Sequence, residues 1–205
     1  VAKFRNAGQS CVAAQRFLLH RSIAPAFLER LLARVSARQL DPRSAHPVES
    51  APLIDQRAVA RTAEFLRDAL AHGAQLVSGA VPGPGARAVE PCVVTGITGA
   101  MRLWRDEVFA PVAGVRCFDD EAEAIALAND TDAGLVAFVM TESAAAQRRF
   151  ADALEVGMIG INEGLVSMAQ APFGGVKASG WGREGSRHGL DDFMHHKLVV
   201  ERFAR

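Results

Sequence analysis

A cysteine acts as a nucleophile where its thiolate is reachable and where backbone amides can face the oxyanion it creates. Cys11 has such a setting. It ends the small polar run Phe4-Arg5-Asn6-Ala7-Gly8-Gln9-Ser10, with glycine close by to let the backbone bend, and an apolar stretch follows at once. By itself the residue reads first as a small core thiol, the commoner fate of single cysteines.

Other chemistries fare worse. Gly180-Trp181-Gly182-Arg183-Glu184-Gly185 satisfies G-x-G-x-x-G, but Phe173 to Ser179 before it is no apolar strand, and too little chain follows to complete a βαβ unit. No P-loop pattern occurs. His195 and His196 are adjacent and point apart on an extended chain, no histidine pair has (i, i+3) or (i, i+4) spacing, and Cys11, Cys92 and Cys117 form no C-x-x-C. No metal site is expected, and the histidines read as solvated. A cysteine hydrolase pairing Cys11 with His20 or His188 stays open on these residues alone.

The bulk numbers narrow the field. A length of 205 residues with 49% hydrophobic and 22% charged content describes one sizeable globular domain. Lys+Arg and Asp+Glu balance at 23 each, so no global basic field is offered to nucleic acid or an acidic membrane. Neither a signal peptide nor a membrane-spanning run is visible, and an odd set of three widely spaced cysteines suits a reducing cytoplasm. The opening at Val1 reads as mid-domain sequence, that of a fragment or a truncated product.

The elements that must position Cys11 follow from periodicity. A strand is expected over 16–20, then a helix over 23–38 with Phe27, Leu28, Leu31, Leu32 and Val35 at helical spacing, ended by Asp41-Pro42. A second helix over 55–71 has Val59, Ala63, Leu66 and Leu70 on one face and Gly73 as its stop. Strands are expected over 75–77, 89–95, 112–118, 135–140 and 157–162, and helices over 119–129 and 143–154, the latter capped by Ser143. A turn over 79–85, a long glycine-rich loop over 173–189 and an extended segment over 193–203 complete the chain. Alternating strands and helices predict an α/β fold with a mostly parallel sheet flanked by helices.

Four separated segments together resemble the aldehyde dehydrogenase superfamily, most closely its succinate-semialdehyde dehydrogenase branch. They are the Phe4–Cys11 loop, Pro52-Leu53-Ile54-Asp55, Glu107-Val108-Phe109-Ala110-Pro111-Val112, and Ala171-Pro172-Phe173-Gly174-Gly175-Val176-Lys177-Ala178-Ser179-Gly180 with Gly182-Arg183-Glu184-Gly185. Their order and spacing agree from end to end. The resemblance implies that residues 1–190 are the cysteine-bearing catalytic domain, truncated at its N-terminus, and that 191–205 is an extended oligomer contact. It implies oxidation of a small aldehyde by NAD or NADP through a thiohemiacetal and a thioester on Cys11, in a homo-oligomer. Glu107 would hold the nicotinamide ribose and Phe109 would pack beside the ring. Arg5 and Ser167 would bind the far carboxylate of a semialdehyde, and Phe173 would line the tunnel.

Some residues depart from the family pattern. Asp106 replaces a usual glutamate, and Ala110 a usual glycine, which matters only if that position needs positive φ. Glu163 stands where this branch usually has a small neutral residue and would repel a carboxylate substrate if it faced the site. Met168 and Trp181 also differ, and Ala13 removes the second cysteine that some relatives carry. In the family the Rossmann domain, the glutamate base and the asparagine of the oxyanion hole lie upstream of the cysteine loop. The 205 residues alone are therefore expected to be inactive, either as part of a working enzyme or, alternatively, as a catalytically dead remnant or interaction domain.

Overall fold

The computed structural model describes residues 2–39 and 52–203; the expected helix stop at Asp41-Pro42 lies outside them. The order is β1 (Arg16–His20), α1 (Ala24–Gln39), α2 (Gln56–Ala71), β2 (Gln75–Ser78), β3 (Cys92–Thr95), α3 (Arg102–Arg105), β4 (Val112–Phe118), α4 (Glu121–Asn129), β5 (Ala133–Gly134), β6 (Val136–Val139), α5 (Ala144–Ala153), β7 (Met158–Ile161) and β8 (Val176–Lys177). A 3-10 turn at Arg5–Gly8 precedes β1, and a 3-10 helix at Arg187–Phe193 follows β8.

β1, β4, β3 and β2 form one sheet in that order. β1 pairs with β4 in parallel from Arg16 opposite Gly114 to His20 opposite Phe118, and β3 pairs with β4 in parallel from Cys92 opposite Val112. β2 runs antiparallel to β3. β6 and β7 are a separate parallel pair, and β5 and β8 an antiparallel one. The fold is α/β as the alternation predicts; the four-stranded sheet is mixed, parallel except for its antiparallel edge strand β2. The strand expected from Val89 pairs only from Cys92, because Pro91 has no N–H to give the ladder.

The sheet is apolar on both faces. Cys92, Val94 and Val112 share a cluster with Val59, Phe65 and Leu66 of α2 and with Leu103 and Trp104 of α3. Val93, Ala113 and Val115, one residue out of phase, share the other with Ala24 and Val35 of α1 and with Phe4. The period-two alternation of the strands thus places helices on opposite faces. Helix starts are set by the capping residues: Asp55, Asp120 and Ser143 accept from Ala58, Glu123 and Ala146 N–H at 2.8, 2.8 and 3.3 Å. Gly73, at φ +90, follows the end of α2.

β1 leads directly out of the cysteine loop and is pinned by Arg16. Its guanidinium donates to the carbonyls of Leu127 and Ala128 at 3.0 and 2.8 Å, filling acceptors at the C-terminus of α4, and stacks on Trp104 at 4.7 Å. The 173–189 loop is more ordered than its glycines suggest, with β8 inside it and Phe173 bridged to Glu184. The segment after Phe193 is exposed throughout and forms no strand within the described residues.

Phe65 is fully buried between the sheet and two guanidiniums, Arg61 and Arg102, that lie over its ring at 5.1 and 4.6 Å. Phe65→Ala should cost about 3–5 kcal/mol of stability, measured as a lower urea midpoint at unchanged slope.

Candidate active site

The cysteine loop is built on a left-handed turn. Asn6, Ala7 and Gly8 have φ of 52, 53 and 72°. Such a conformation costs an L-residue about 1–2 kcal/mol, least for asparagine and nothing for glycine. Asn6 Nδ2 donates to the Gln9 carbonyl at 3.0 Å while Gln9 N–H returns to the Asn6 carbonyl at 3.0 Å, which closes the turn. Ala7 is buried at 2% exposure. Gly8 lies so close to the chain before β4 that a Cβ there would stand 2.3 Å from the Ala110 carbonyl oxygen. Glycine is required at that position for conformation and for space.

Beyond the turn Cys11 is exposed. Ala13 N–H bonds to the Ser10 carbonyl at 3.0 Å and Ala14 N–H to the Ala2 carbonyl at 2.9 Å. The Cys11 and Val12 N–H groups take part in no backbone hydrogen bond among the described residues, so both are open to an oxyanion. Cys92 is the opposite kind of thiol. It is buried beside the Glu90 carbonyl, and desolvation pushes it up to about 12.

Arg5 and Ser167, 162 positions apart in the sequence, line one narrow recess together with Lys3, Ser10, Val12 and Leu165. Arg5 is exposed at its mouth. A larger open concavity of about 330 Å³ lies between Pro172, Trp181, Arg183, His188 and Asp192, with no residue of the cysteine loop in its lining, whereas the recess, of about 20 Å³, is lined by Ser10 and Val12 on either side of Cys11. Phe173 is half-buried in its bridge with Glu184 and is not among the residues lining the recess.

The other arm of the site is the segment before β4. Glu107 is exposed, and its carbonyl accepts from Arg61 Nη2 of α2 at 2.8 Å. Phe109 is 39% exposed and adopts φ 51°, whereas the adjacent Ala110 is not left-handed, so alanine there is unstrained. Asp106 is paired with Arg102 at 3.2 Å.

Two features escaped the sequence reading. Lys3 is buried at 4% exposure, and desolvation, partly opposed by nearby Glu107, pulls its ammonium down to about 7. Its place between Arg5 and the Glu107 segment cannot be read from a K-F-R run. Glu163 is exposed, and its Oε1 accepts from the N–H groups of Gly164 and Leu165 at 2.7 and 2.9 Å. The acid therefore orders its own loop, the one that carries Ser167. Met168 and Trp181 are both exposed.

Comparison with known proteins fits this geometry. The model of the aldehyde dehydrogenase family matches residues 1–199. The chain is 41% identical over 200 residues to glutarate-semialdehyde dehydrogenase of Pseudomonas aeruginosa, covering 97% of this chain and 41% of that protein. It is 41% identical over 199 residues to the mitochondrial succinate-semialdehyde dehydrogenase of Oryza sativa, covering 97% and 38%. The crystal structure of succinate-semialdehyde dehydrogenase from Burkholderia pseudomallei superimposes with a TM-score of 0.87 at 42% identity, over 94% of this chain and 40% of that one. The chain thus spans about two fifths of the length of the curated relatives it matches.

Two measurements follow. At about pH 8 a limiting dose of iodoacetamide should alkylate Cys11 first and Cys92 last, because a thiol near 12 is only about one part in ten thousand thiolate there; peptide mass spectrometry reports the order. For Lys3 the folded pKa, about 7, lies below the usual 10.5, so between those values the unfolded chain binds the extra proton and stability rises with pH. Lys3→Met should therefore be more stable than the parent by about a kcal/mol or more at and below pH 7. Denaturant titrations should show that advantage fading as pH approaches 10.5.

Proposed function

This chain belongs to the aldehyde dehydrogenase family, and from that premise we propose that it forms the cysteine-bearing catalytic part of an NAD- or NADP-dependent dehydrogenase that oxidises a semialdehyde of the succinic type to the acid. The observation that carries the substrate class is the shared recess of Arg5 and Ser167 beside the cysteine loop. A guanidinium grips a carboxylate with paired, charge-assisted hydrogen bonds, and a hydroxyl adds a neutral donor. The names of the relatives, succinate- and glutarate-semialdehyde dehydrogenases, support a substrate with a carboxylate at its far end.

In this reading the Cys11 thiolate adds to the aldehyde carbonyl, forming a C–S bond, and the oxyanion faces the Cys11 N–H. Arg5 and Ser167 hold the far carboxylate and so fix the distance of the carbonyl from the sulfur. Glu107 and Phe109 fit a nicotinamide nucleotide, an exposed carboxylate as acceptor for ribose hydroxyls and an exposed ring two residues on. Bound there, such a nucleotide would accept the hydride that leaves the former aldehyde carbon, and the thioester would stay on Cys11. Water then attacks the acyl carbon, the C–S bond breaks, and Cys11 is regenerated as the acid leaves. Phe173 forms the outer wall of the substrate tunnel. The Rossmann half, the general base and the second oxyanion donor come from a part of the enzyme outside these residues.

The C-terminal segment serves assembly of a homo-oligomer in the same proposal. Phe193, Leu198, Val200 and Phe203 are each at least 83% exposed, an apolar run that a partner subunit would cover. This surface equally suits the reading of the chain as an interaction domain. Three free thiols support the cytoplasm as its compartment.

The reading is tested in a protein that joins these residues to a complete cofactor-binding half. Cys11→Ala should abolish oxidation of succinic semialdehyde. Arg5→Ala should raise KM for it by about tenfold or more, while KM for an uncharged aldehyde moves by less than about twofold. Equal effects on both aldehydes would remove the carboxylate anchor. The 205 residues alone should show no turnover.

A further inference from the structure

Four residues beyond Cys11, the chain places an amide side chain across the gap to the Glu107 segment. Gln15 Nε2 donates to the Asp106 carbonyl, and Gln15 Oε1 accepts from Val108 N–H at 2.9 Å. One side chain thus holds the peptide groups on both sides of Glu107. We propose that Gln15 is a positioning residue for cofactor binding, fixing the Glu107 carboxylate relative to Cys11; this rests on the reading of Glu107 as the acid that holds the ribose.

The argument is one of connection. The Gln15 carbonyl accepts from Gly114 N–H of β4 at 3.2 Å, so its main chain is locked to the sheet while its side chain reaches the segment that precedes the same strand. On the other side, Ala14 N–H is held by the Ala2 carbonyl and Ala13 N–H by Ser10, which ties Gln15 to the cysteine loop. The carbonyl between the two gripped groups, that of Glu107, is held by Arg61 from α2. Three consecutive main-chain positions, Asp106, Glu107 and Val108, are therefore fixed by side chains from two other elements. This is unusual support for a short irregular segment whose central side chain is exposed. An uncharged side chain that donates and accepts from neighbouring atoms is required for the grip, which limits it to glutamine or asparagine. A carboxylate would repel the Asp106 carbonyl, and methionine would fill the space without bonding.

A role confined to satisfying Val108 N–H would affect stability and spare the cofactor. The test separates the two in the complete enzyme, with Gln15→Met, Glu107→Gln and the double variant. The readouts are dissociation constants for NAD and NADP from titration calorimetry, KM for succinic semialdehyde, and the alkylation rate of Cys11. Gln15→Met should weaken cofactor binding by about tenfold, the worth of a well-placed hydrogen-bonded contact. The semialdehyde KM and the alkylation rate should stay within about twofold. The double variant should bind cofactor no more weakly than Glu107→Gln alone, since the clamp acts through that carboxylate. Gln15→Asn keeps both groups on a shorter arm and should fall between parent and Gln15→Met, which preserves the test if Gln15→Met does not fold. Unchanged cofactor affinity in Gln15→Met or, where that does not fold, in Gln15→Asn would overturn the proposal while Glu107→Gln still weakens binding. Additive losses in the double variant would overturn it as well. If Glu107→Gln leaves the affinity unchanged, the ribose reading of Glu107 fails and the proposal falls with it.

Discussion

The structure turns on one backbone contact, Gly8 against Ala110. The cysteine loop and the chain before β4 approach so closely that no side chain fits between them. To make that approach, the loop winds left-handed through Asn6, Ala7 and Gly8. Glycine accepts this freely and asparagine nearly so, but Ala7 is held against its preference. The cost is offset by burial of the Ala7 methyl group and by the paired hydrogen bonds between Asn6 and Gln9. Strain concentrated in a loop that presents an exposed thiol, and two N–H groups with no hydrogen-bond partner among the described residues, is the pattern of a preorganised site.

Around that contact, side-chain amides take the place of strand neighbours. Gln9 donates to the Pro52 carbonyl and accepts from Ile54 N–H at 2.8 Å, bringing the turn before α2 against the cysteine loop. Gln15 does the same for the Glu107 segment, and Asn162, itself at φ 53°, grips both main-chain groups of Thr141 at 2.9 Å. Gln9 and Gln15 bridge to irregular segments distant in sequence, and Asn162 extends the β6–β7 ladder by side-chain bonds. Segments that looked like independent motifs are thus one bonded assembly, and the regular elements behind them act as its frame.

Much of that frame was legible because its signals are local. The cap at Asp55 and the apolar stripe of Val59, Ala63 and Leu66 mark α2 within a residue, and Ser143 does so for α5. The α/β class follows from alternation, but the antiparallel edge strand β2 does not, since pairing direction is a tertiary choice. The single turn α3 was invisible: its start is supported by Asp68, which accepts from Arg102 N–H at 2.8 Å across 34 residues. No composition signal marks Ala7 as left-handed. The site was less legible than the fold. Cys11 and Glu107 could be singled out from their motifs, whereas Gln9 and Gln15 act through distant backbone groups, and Lys3 is set by its burial, none of which a linear pattern reports. The bonds by which Glu163 orders its own loop carry no sequence signal either.

These placements decide which charge can recognise an anion in the recess. Two cationic residues line it, yet they are not equivalent. Burial draws Lys3 down to about 7, so near neutral pH it carries only part of its charge. Arg5 is exposed, and its planar guanidinium matches a carboxylate through two parallel bonds. The fixed positive charge that a far carboxylate would meet is therefore that of Arg5, while Lys3 contributes in proportion to its remaining proton. Under the proposed function, affinity for a semialdehyde should then weaken only in part as pH rises through neutrality, with the remainder resting on the paired bonds that Arg5 offers the carboxylate.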